Sequence, residues 1–383
     1  MIDINWDRVR RAQHLMVERG LTGLMIMNHD DFRYFFGVDY AQPRAIILAA
    51  GEPIFIVFAG EEPELRRAIG DLPVKVATHV GEQIFNVRQT FQSVFGGPPP
   101  GLRLPPDGRP RIGMQLWFHT PAFLVDLFRK VNGQVELVSS DPVMDELRMV
   151  KDLHEIALMR RAQAIAAEGM DRAREMLRPG VSGHEIATEA VYTMMKAGAE
   201  GTSTPVYVNS GIRSCWVHGK VTRDPIEPGD LVVVDLTPQF EGYCANLART
   251  YCMGRPTETQ VNLLTTYREM HEAVRAILRP GVKVAELDMA GREICARAGF
   301  GDYCLNGISH GIGLRFEETP ATTILPQHRT VELREGMTMT VGHTILAIPG
   351  VGGVRFEDVF RVTPDGGVAL HPYPIDWEIP VLP

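Results

Sequence analysis

Cysteine is scarce in this chain: five residues among 383, namely Cys215, Cys244, Cys252, Cys295 and Cys304. Their number is odd, all lie in the second half, and no two are spaced as CxxC. That excludes a disulfide framework and a cysteine zinc clamp, and points to reduced, buried thiols in a cytoplasmic protein. Long apolar runs are missing too. The longest, residues 45–50 and 54–59, fall far short of the ~20 that span a bilayer, and Glu52-Pro53 separates them. Met1-Ile2-Asp3-Ile4-Asn5-Trp6-Asp7 has neither a basic start nor an apolar stretch, so no secretory signal is expected. Positive charge is not in excess: 39 Lys and Arg against 47 Asp and Glu leave a net charge of −8. A surface of that sign repels phosphate, which argues against nucleic acid and anionic membranes as partners. An apolar fraction of 45% with 22% charged residues excludes disorder. At ~100–200 residues per domain, the length predicts two domains.

The first 145 residues alternate helical and strand patterns. Residues 6–19 predict a helix with Val9, Ala12, Leu15 and Met16 on one face. Residues 21–27, 44–49 and 53–58 read as buried strands, with Gly51-Glu52-Pro53 turning between the last two. The segment GGPPPGLRLPPDGRPR (96–111) is too rich in Gly and Pro for regular structure and predicts an exposed loop. A helix over 120–130 and a strand over 135–138 close the domain, and 141–149 forms the crossover. A second domain spans 150–383. It opens with a helix from about 151 to 177, on which Leu158, Ala162, Ala166 and Met170 share a face.

An internal repeat follows. Leu177-Arg178-Pro179-Gly180-Val181 recurs as Leu278-Arg279-Pro280-Gly281-Val282, each copy after one helix and before another (184–197 and 284–298) that ends at Gly198 or Gly299. Matched flanking elements predict a duplicated α+β half, with the functional site where the halves face each other.

Four segments of the second domain carry chemistry. Leu231-Val232-Val233-Val234-Asp235 is a buried strand delivering one carboxylate, which is costly unless it is used or paired. Gly242-Tyr243-Cys244-Ala245-Asn246-Leu247-Ala248-Arg249-Thr250 follows. Ser309-His310-Gly311-Ile312-Gly313-Leu314 sets glycines around a histidine. Gly352-Gly353-Val354-Arg355-Phe356-Glu357-Asp358 is a strand with acids near its end. In order and spacing these resemble the creatinase/prolidase/methionine-aminopeptidase superfamily and its "pita-bread" fold. The first domain is similar to the N-terminal domain of the creatinase, prolidase and aminopeptidase P branch. The expected fold is therefore α+β: a smaller α/β N-terminal domain before a pita-bread catalytic domain built on a duplicated α+β half.

The resemblance implies two divalent metals held by Asp, Asp, His, Glu and Glu. Asp235, His310 and Glu357 match the first, third and fifth; the other two positions hold Asn246 and Gly342. Two carboxylates against two divalent cations leave a dinuclear site uncompensated, and Asn offers only a weak neutral carbonyl. No metal is therefore expected. If one divalent ion (Mn, Co or Zn) binds, Asp235, His310, Glu357 and the neighbouring His343 would hold it. The superfamily also contains metal-free enzymes, creatinase among them, that keep a histidine upstream of the first ligand strand. Here it is His218, suited by an ordinary pKa near ~6.5 to take a proton from water and return it to a leaving nitrogen.

The leading expectation is a metal-independent hydrolase of a C–N bond in a small cationic or zwitterionic nitrogen compound. His218, Asp235 and Glu357 are its catalytic residues, and the substrate's positive charge would stand where the metals are missing. His310, Glu317, Asn246, Arg44 and Tyr40 are the substrate-binding candidates. Glu317-Glu318 stands where the peptidases have His-Glu, and Ala248 where creatinase-like enzymes have Glu, so the chain matches neither group fully. In Asp39-Tyr40-Ala41-Gln42-Pro43-Arg44, Arg44 is either a solvated strand-edge charge or a ligand for a substrate carboxylate in a neighbouring subunit's site, which requires a homodimer. The alternatives are a metal-dependent Xaa-Pro dipeptidase or aminopeptidase with a reduced, mononuclear site, and a non-catalytic binding protein that kept the fold.

Overall fold

The computed structural model describes residues 4–40, 42, 44–116, 120–304 and 307–376; Ala41 and Pro43 of the Asp39–Arg44 segment lie outside them. Contacts divide the chain into two compact units, Met1–Arg148 and Met149–Pro383.

The first unit is a six-stranded mixed sheet with helices. In chain order its elements are α1 (Trp6–Glu18), β1 (Gly23–Ile26), α2 (His29–Phe36), β2 (Ala45–Leu48), β3 (Ile54–Phe58), α3 (Glu62–Ile69), β4 (Val74–Ala77), α4 (Val80–Gly96), β5 (Arg111–Met114), α5 (Ala122–Val131), β6 (Glu136–Ser139) and α6 (Asp141–Arg148). The strand order is β4-β3-β2-β1-β5-β6. β1 and β2 run antiparallel, pairing Ile26 with Ala45, and β5 is parallel to β1. Every residue of β1 and β2 is buried, as expected for central strands covered on both faces. The segment read as a crossover, 141–149, is helical over Asp141–Arg148.

The second unit contains α7 (Leu153–Met176), α8 (Gly183–Lys196), β7 (Gly201–Thr202), β8 (Tyr207–Ser210), β9 (Leu231–Leu236), β10 (Pro238–Phe240), β11 (Tyr243–Cys244), β12 (Leu247–Cys252), α9 (Glu258–Ala276), α10 (Val284–Arg297), β13 (Thr338–Val341), β14 (Leu346–Ile348), β15 (Gly352–Val354), β16 (Asp358–Thr363) and β17 (Gly366–Ala369). Its halves repeat backbone detail as well as sequence. Gly180 and Gly281 both sit at positive φ (88° and 86°). Their N–H groups donate to Ile226 O and Leu333 O, each at 2.9 Å. Capping boxes open α7, α8 and α9, which satisfies N–H groups that the first helical turn leaves without partners. On α7 the buried stripe runs through Ile156, Met159, Ala162, Ala166 and Met170; Leu158, expected on it, is only half-buried.

The period-2 alternation of β9 explains the site's position. Val232, Val234 and Leu236 point into a core made with α7 and α8. Asp235 therefore points to the opposite face. β8 and β12 flank β9, pairing Tyr207 and Ala248 with Asp235.

Candidate active site with a reduced metal centre

Asp235 is 2% exposed, and its carboxylate is fully engaged. Arg355 Nη1 donates to Oδ2 at 2.8 Å and Asn246 Nδ2 to Oδ1 at 2.9 Å. Burial pushes the Asp235 carboxyl above its ordinary range, and the Arg355 guanidinium pulls against that shift. Burial alone would lower the pKa of Arg355; the carboxylates of Asp235 and Glu357 raise it instead, so the guanidinium is a fixed positive charge. This corrects the expectation that a substrate cation must neutralise Asp235. The chain supplies the cation itself, three residues after Gly352.

Glu357 is fully buried and is placed by backbone pairing. Ala248 N donates to Glu357 O at 3.0 Å, and Glu357 N to Ala248 O at 3.1 Å. Its Oε1 lies 3.2 Å from His343 Nδ1 and 3.7 Å from His310 Nε2. Burial raises its pKa, and Arg355 and His310 counter the rise. His310 enters beside β13: Thr340 N donates to His310 O at 2.8 Å, and His310 Nδ1 lies 2.8 Å from Gly311 O. That contact places the proton on Nδ1 and leaves the Nε2 lone pair free. By the same reasoning His343 donates from Nδ1 to Glu357, and its Nε2 lies 3.8 Å from Glu317 Oε1. Tyr267 of α9 holds the His343 turn, its hydroxyl 2.5 and 2.6 Å from the carbonyls of Gly342 and Thr344.

His310, Glu317 and His343 thus converge, with one ligand atom from each lying within 4.8 Å of the others. The two imidazole rings meet edge to face, with centroids 4.6 Å apart. Burial lowers both histidines, His343 to about 4. Burial alone would raise Glu317, but His310, His343 and the Thr323 hydroxyl bring it below its ordinary range. The cluster therefore presents two neutral imidazoles and one carboxylate at neutral pH. Its neighbour Glu318 is taken by Lys151, at 2.6 Å.

His218 is exposed, its ring 5.9 Å from that of Tyr207. Partial burial lowers its pKa, as do Arg355 and His343, against Glu317 and Asp235. Tyr40 and Arg44 belong to the first unit; Arg44 is buried, not the solvated strand-edge charge that one reading of the sequence allowed.

Residues 157–364 match the model of metallopeptidase family M24, and residues 8–150 that of the creatinase/prolidase N-terminal domain. The chain belongs to metallopeptidase family M24. A Xaa-Pro dipeptidase of Pyrococcus horikoshii is 28% identical over 371 residues, covering 96% of this chain and 98% of the relative. One from Pyrococcus furiosus is 33% identical over 247 residues, covering 64% and 70%. The crystal structure of the P. horikoshii OT3 prolidase superposes with a TM-score of 0.83 at 25% identity, covering 98% of this chain and 100% of that one.

An M24 metallopeptidase implies divalent metal, and the residues here fit one ion in a shifted position rather than the superfamily's pair. At the superfamily's second and fourth ligand positions stand Asn246, donating to Asp235, and Gly342. The φ of Gly342 is 98°, and a Cβ there would lie 1.8 Å from Phe356 O, so no side chain fits this backbone. His310 Nε2 of the cluster and Glu357 Oε2 beside it are buried with no hydrogen-bond partner among the described residues, a costly state unless a further group meets them. Two histidines and one glutamate form a recognised set for catalytic zinc with an open position. Glu357 behind His343 is the carboxylate that orients a ligating imidazole. The ligand set expected from sequence is Asp235, His310, His343 and Glu357; in the structure Asp235 is engaged by Arg355 and Asn246, and Glu317 is the carboxylate grouped with His310 and His343.

Charge supports the same assignment. Arg355 balances Asp235, so one divalent ion, not two, balances Glu317 and Glu357.

Proposed function

We propose that this chain is a hydrolase of Xaa-Pro-type dipeptides or similarly small amides. It would work with one divalent metal ion held by His310, His343 and Glu317. The single observation that carries the reading is the convergence of two neutral imidazole lone pairs and a carboxylate on one buried spot, with Glu357 behind His343. The names of the M24 relatives support the substrate class. A bound ion would supply Lewis-acid polarisation of the scissile carbonyl. The chain's own residues do the rest. Glu357 holds the tautomer and orientation of His343, and the Arg355–Asp235–Asn246 group fixes the floor of the site. His218, mostly neutral because its pKa is lowered, takes a proton at Nε2 or Nδ1 from the attacking water and returns it to the leaving nitrogen.

The test is hydrolysis of a Xaa-Pro panel (Gly-Pro, Ala-Pro, Leu-Pro) by metal-loaded, chelated and reloaded protein. Activity that chelation removes and Zn²⁺ or Mn²⁺ restores is the expected result; equal activity after complete chelation refutes it. That second outcome would favour the metal-independent reading, in which Arg355 permanently takes the role of the cation at Asp235 and His218 works alone.

A further inference from the structure

The first unit contains a cavity of about 200 Å³ between α4 and α5, over the carboxyl end of β1. Met25, Met27, Ile84, Val87, Leu127 and Phe128 form its walls. Phe123 and Val80, at the amino ends of α5 and α4, also line it and are 70% and 50% exposed. Such exposure of large apolar side chains around an apolar hollow is unusual on a surface with no partner. Among the described residues, two polar ones line the cavity, Arg44 and Asn132.

Arg44 is the anomaly. It is 9% exposed, and its guanidinium has no hydrogen-bond or ion-pair partner among the described residues. The charge that acts on it most is Glu61, whose Oε2 instead accepts from Phe58 N at 3.2 Å. No Arg44 nitrogen is among the side-chain atoms buried without a partner, so the stem is buried while the charged head keeps water that an anion can replace. Asn132 adds an unmet group. Its Nδ2 donates to Phe128 O at 3.0 Å, while its Oδ1 is buried without a partner among the described residues.

We propose that this cavity is a binding site for a small apolar monocarboxylate, with the ligand carboxylate on Arg44 and its hydrocarbon part between α4 and α5. A guanidinium presents paired donors that match a carboxylate. An apolar cavity of about 150 Å³ takes a benzene ring, so this one admits a ring with a short carboxylate arm or a chain of roughly six to eight carbons. A ring-borne O–H or N–H reaching Asn132 Oδ1 would add affinity. The site lies within the first unit and does not depend on the reaction assigned to the second.

The experiment is calorimetric titration of the full-length, chelated protein with 3-phenylpropionate and octanoate, beside the neutral isosteres 3-phenylpropanol and octanol. Saturable one-to-one binding of a carboxylate, at least tenfold tighter than its alcohol, is expected. Arg44→Met should weaken it at least tenfold. Leu127→Trp, which fills the hollow and keeps Arg44, should abolish it, so a misfolded Arg44 variant does not decide the matter. Binding should persist in His310→Ala, which separates this site from the metal cluster. Absence of saturable binding to folded wild type at millimolar ligand overturns the proposal. So does equal affinity for acid and alcohol, or binding that survives Leu127→Trp.

Discussion

Arg355→Met is the perturbation that separates a self-neutralised site from one awaiting a second metal. The guanidinium is 2% exposed and Asp235 is 2% exposed. Removing one partner of such a pair leaves the other charged and unpaired, and typically costs about 3–5 kcal/mol. Here the loss should sit at the upper end, because Glu357 also feels the guanidinium and Asn246 alone remains on Asp235. For a unit of this size each kcal/mol shifts Tm by ~2–4 °C, so a loss of about 5 kcal/mol lowers Tm by roughly 10–20 °C in calorimetry. Asp235→Asn should also destabilise, and the double variant should recover part of the loss, with a coupling energy of about 2 kcal/mol or more. Divalent metal should raise the Tm of Arg355→Met more than that of wild type, since Asp235 is then free to ligate. A cost below about 1 kcal/mol, or losses that simply add, would refute the assignment of Arg355 as the resident cation.

Three further outcomes follow from the same geometry. His218→Ala should lower kcat by about 10²–10⁴ while Tm stays nearly constant, since the side chain is exposed; unchanged turnover of a verified substrate would remove His218 from proton transfer. Gly342→Glu, which restores the superfamily's ligand type, should not create a second metal site. The Cβ clash with Phe356 O should cost at least about 3 kcal/mol, and a stable variant with two bound ions would contradict this. In chelated protein, stability should fall as pH drops from about 6.5 to 4. His343 titrates near 4 when folded, so the unfolded chain binds more protons in that window and protonation favours unfolding. His343 alone accounts for roughly 3 kcal/mol at the acid end; denaturant titrations of wild type and His343→Gln at pH 7 and pH 4.5 should diverge, and identical pH profiles would count against a buried neutral imidazole.

Much of this was legible in sequence because it rests on pattern. The 101-residue repeat carries its own helix stops, and the structure shows them with matching φ values at Gly180 and Gly281. Asp235, His310 and Glu357 stand out as a strand-ending acid, a histidine among glycines and an acid near a strand end, and their matching to ligand positions rests on the family resemblance. What was not legible depended on which side chain meets which. Arg355 stands in the Gly352–Asp358 motif, but only its 2.8 Å contact with Asp235 reveals it as the counter-ion. Glu317 and Glu318 are adjacent, and nothing in the sequence says that one meets His343 and the other Lys151. Gly342 looked like a deleted ligand, whereas its positive φ and the Phe356 carbonyl make glycine obligatory there. Helices α2, α3 and α4 went unread, since short or weakly periodic segments give little signal before packing decides them.

The account's central claim is one divalent ion on His310, Glu317 and His343, with Asp235 excluded. The measurement is metal stoichiometry by mass spectrometry after equilibration with Zn²⁺ or Mn²⁺ and exhaustive desalting, on wild type, His343→Gln, Glu317→Gln and Asp235→Asn. One equivalent in wild type and in Asp235→Asn, lost in the other two variants, is the predicted result. Two equivalents in wild type, none, or one that depends on Asp235 and not on Glu317, would contradict it.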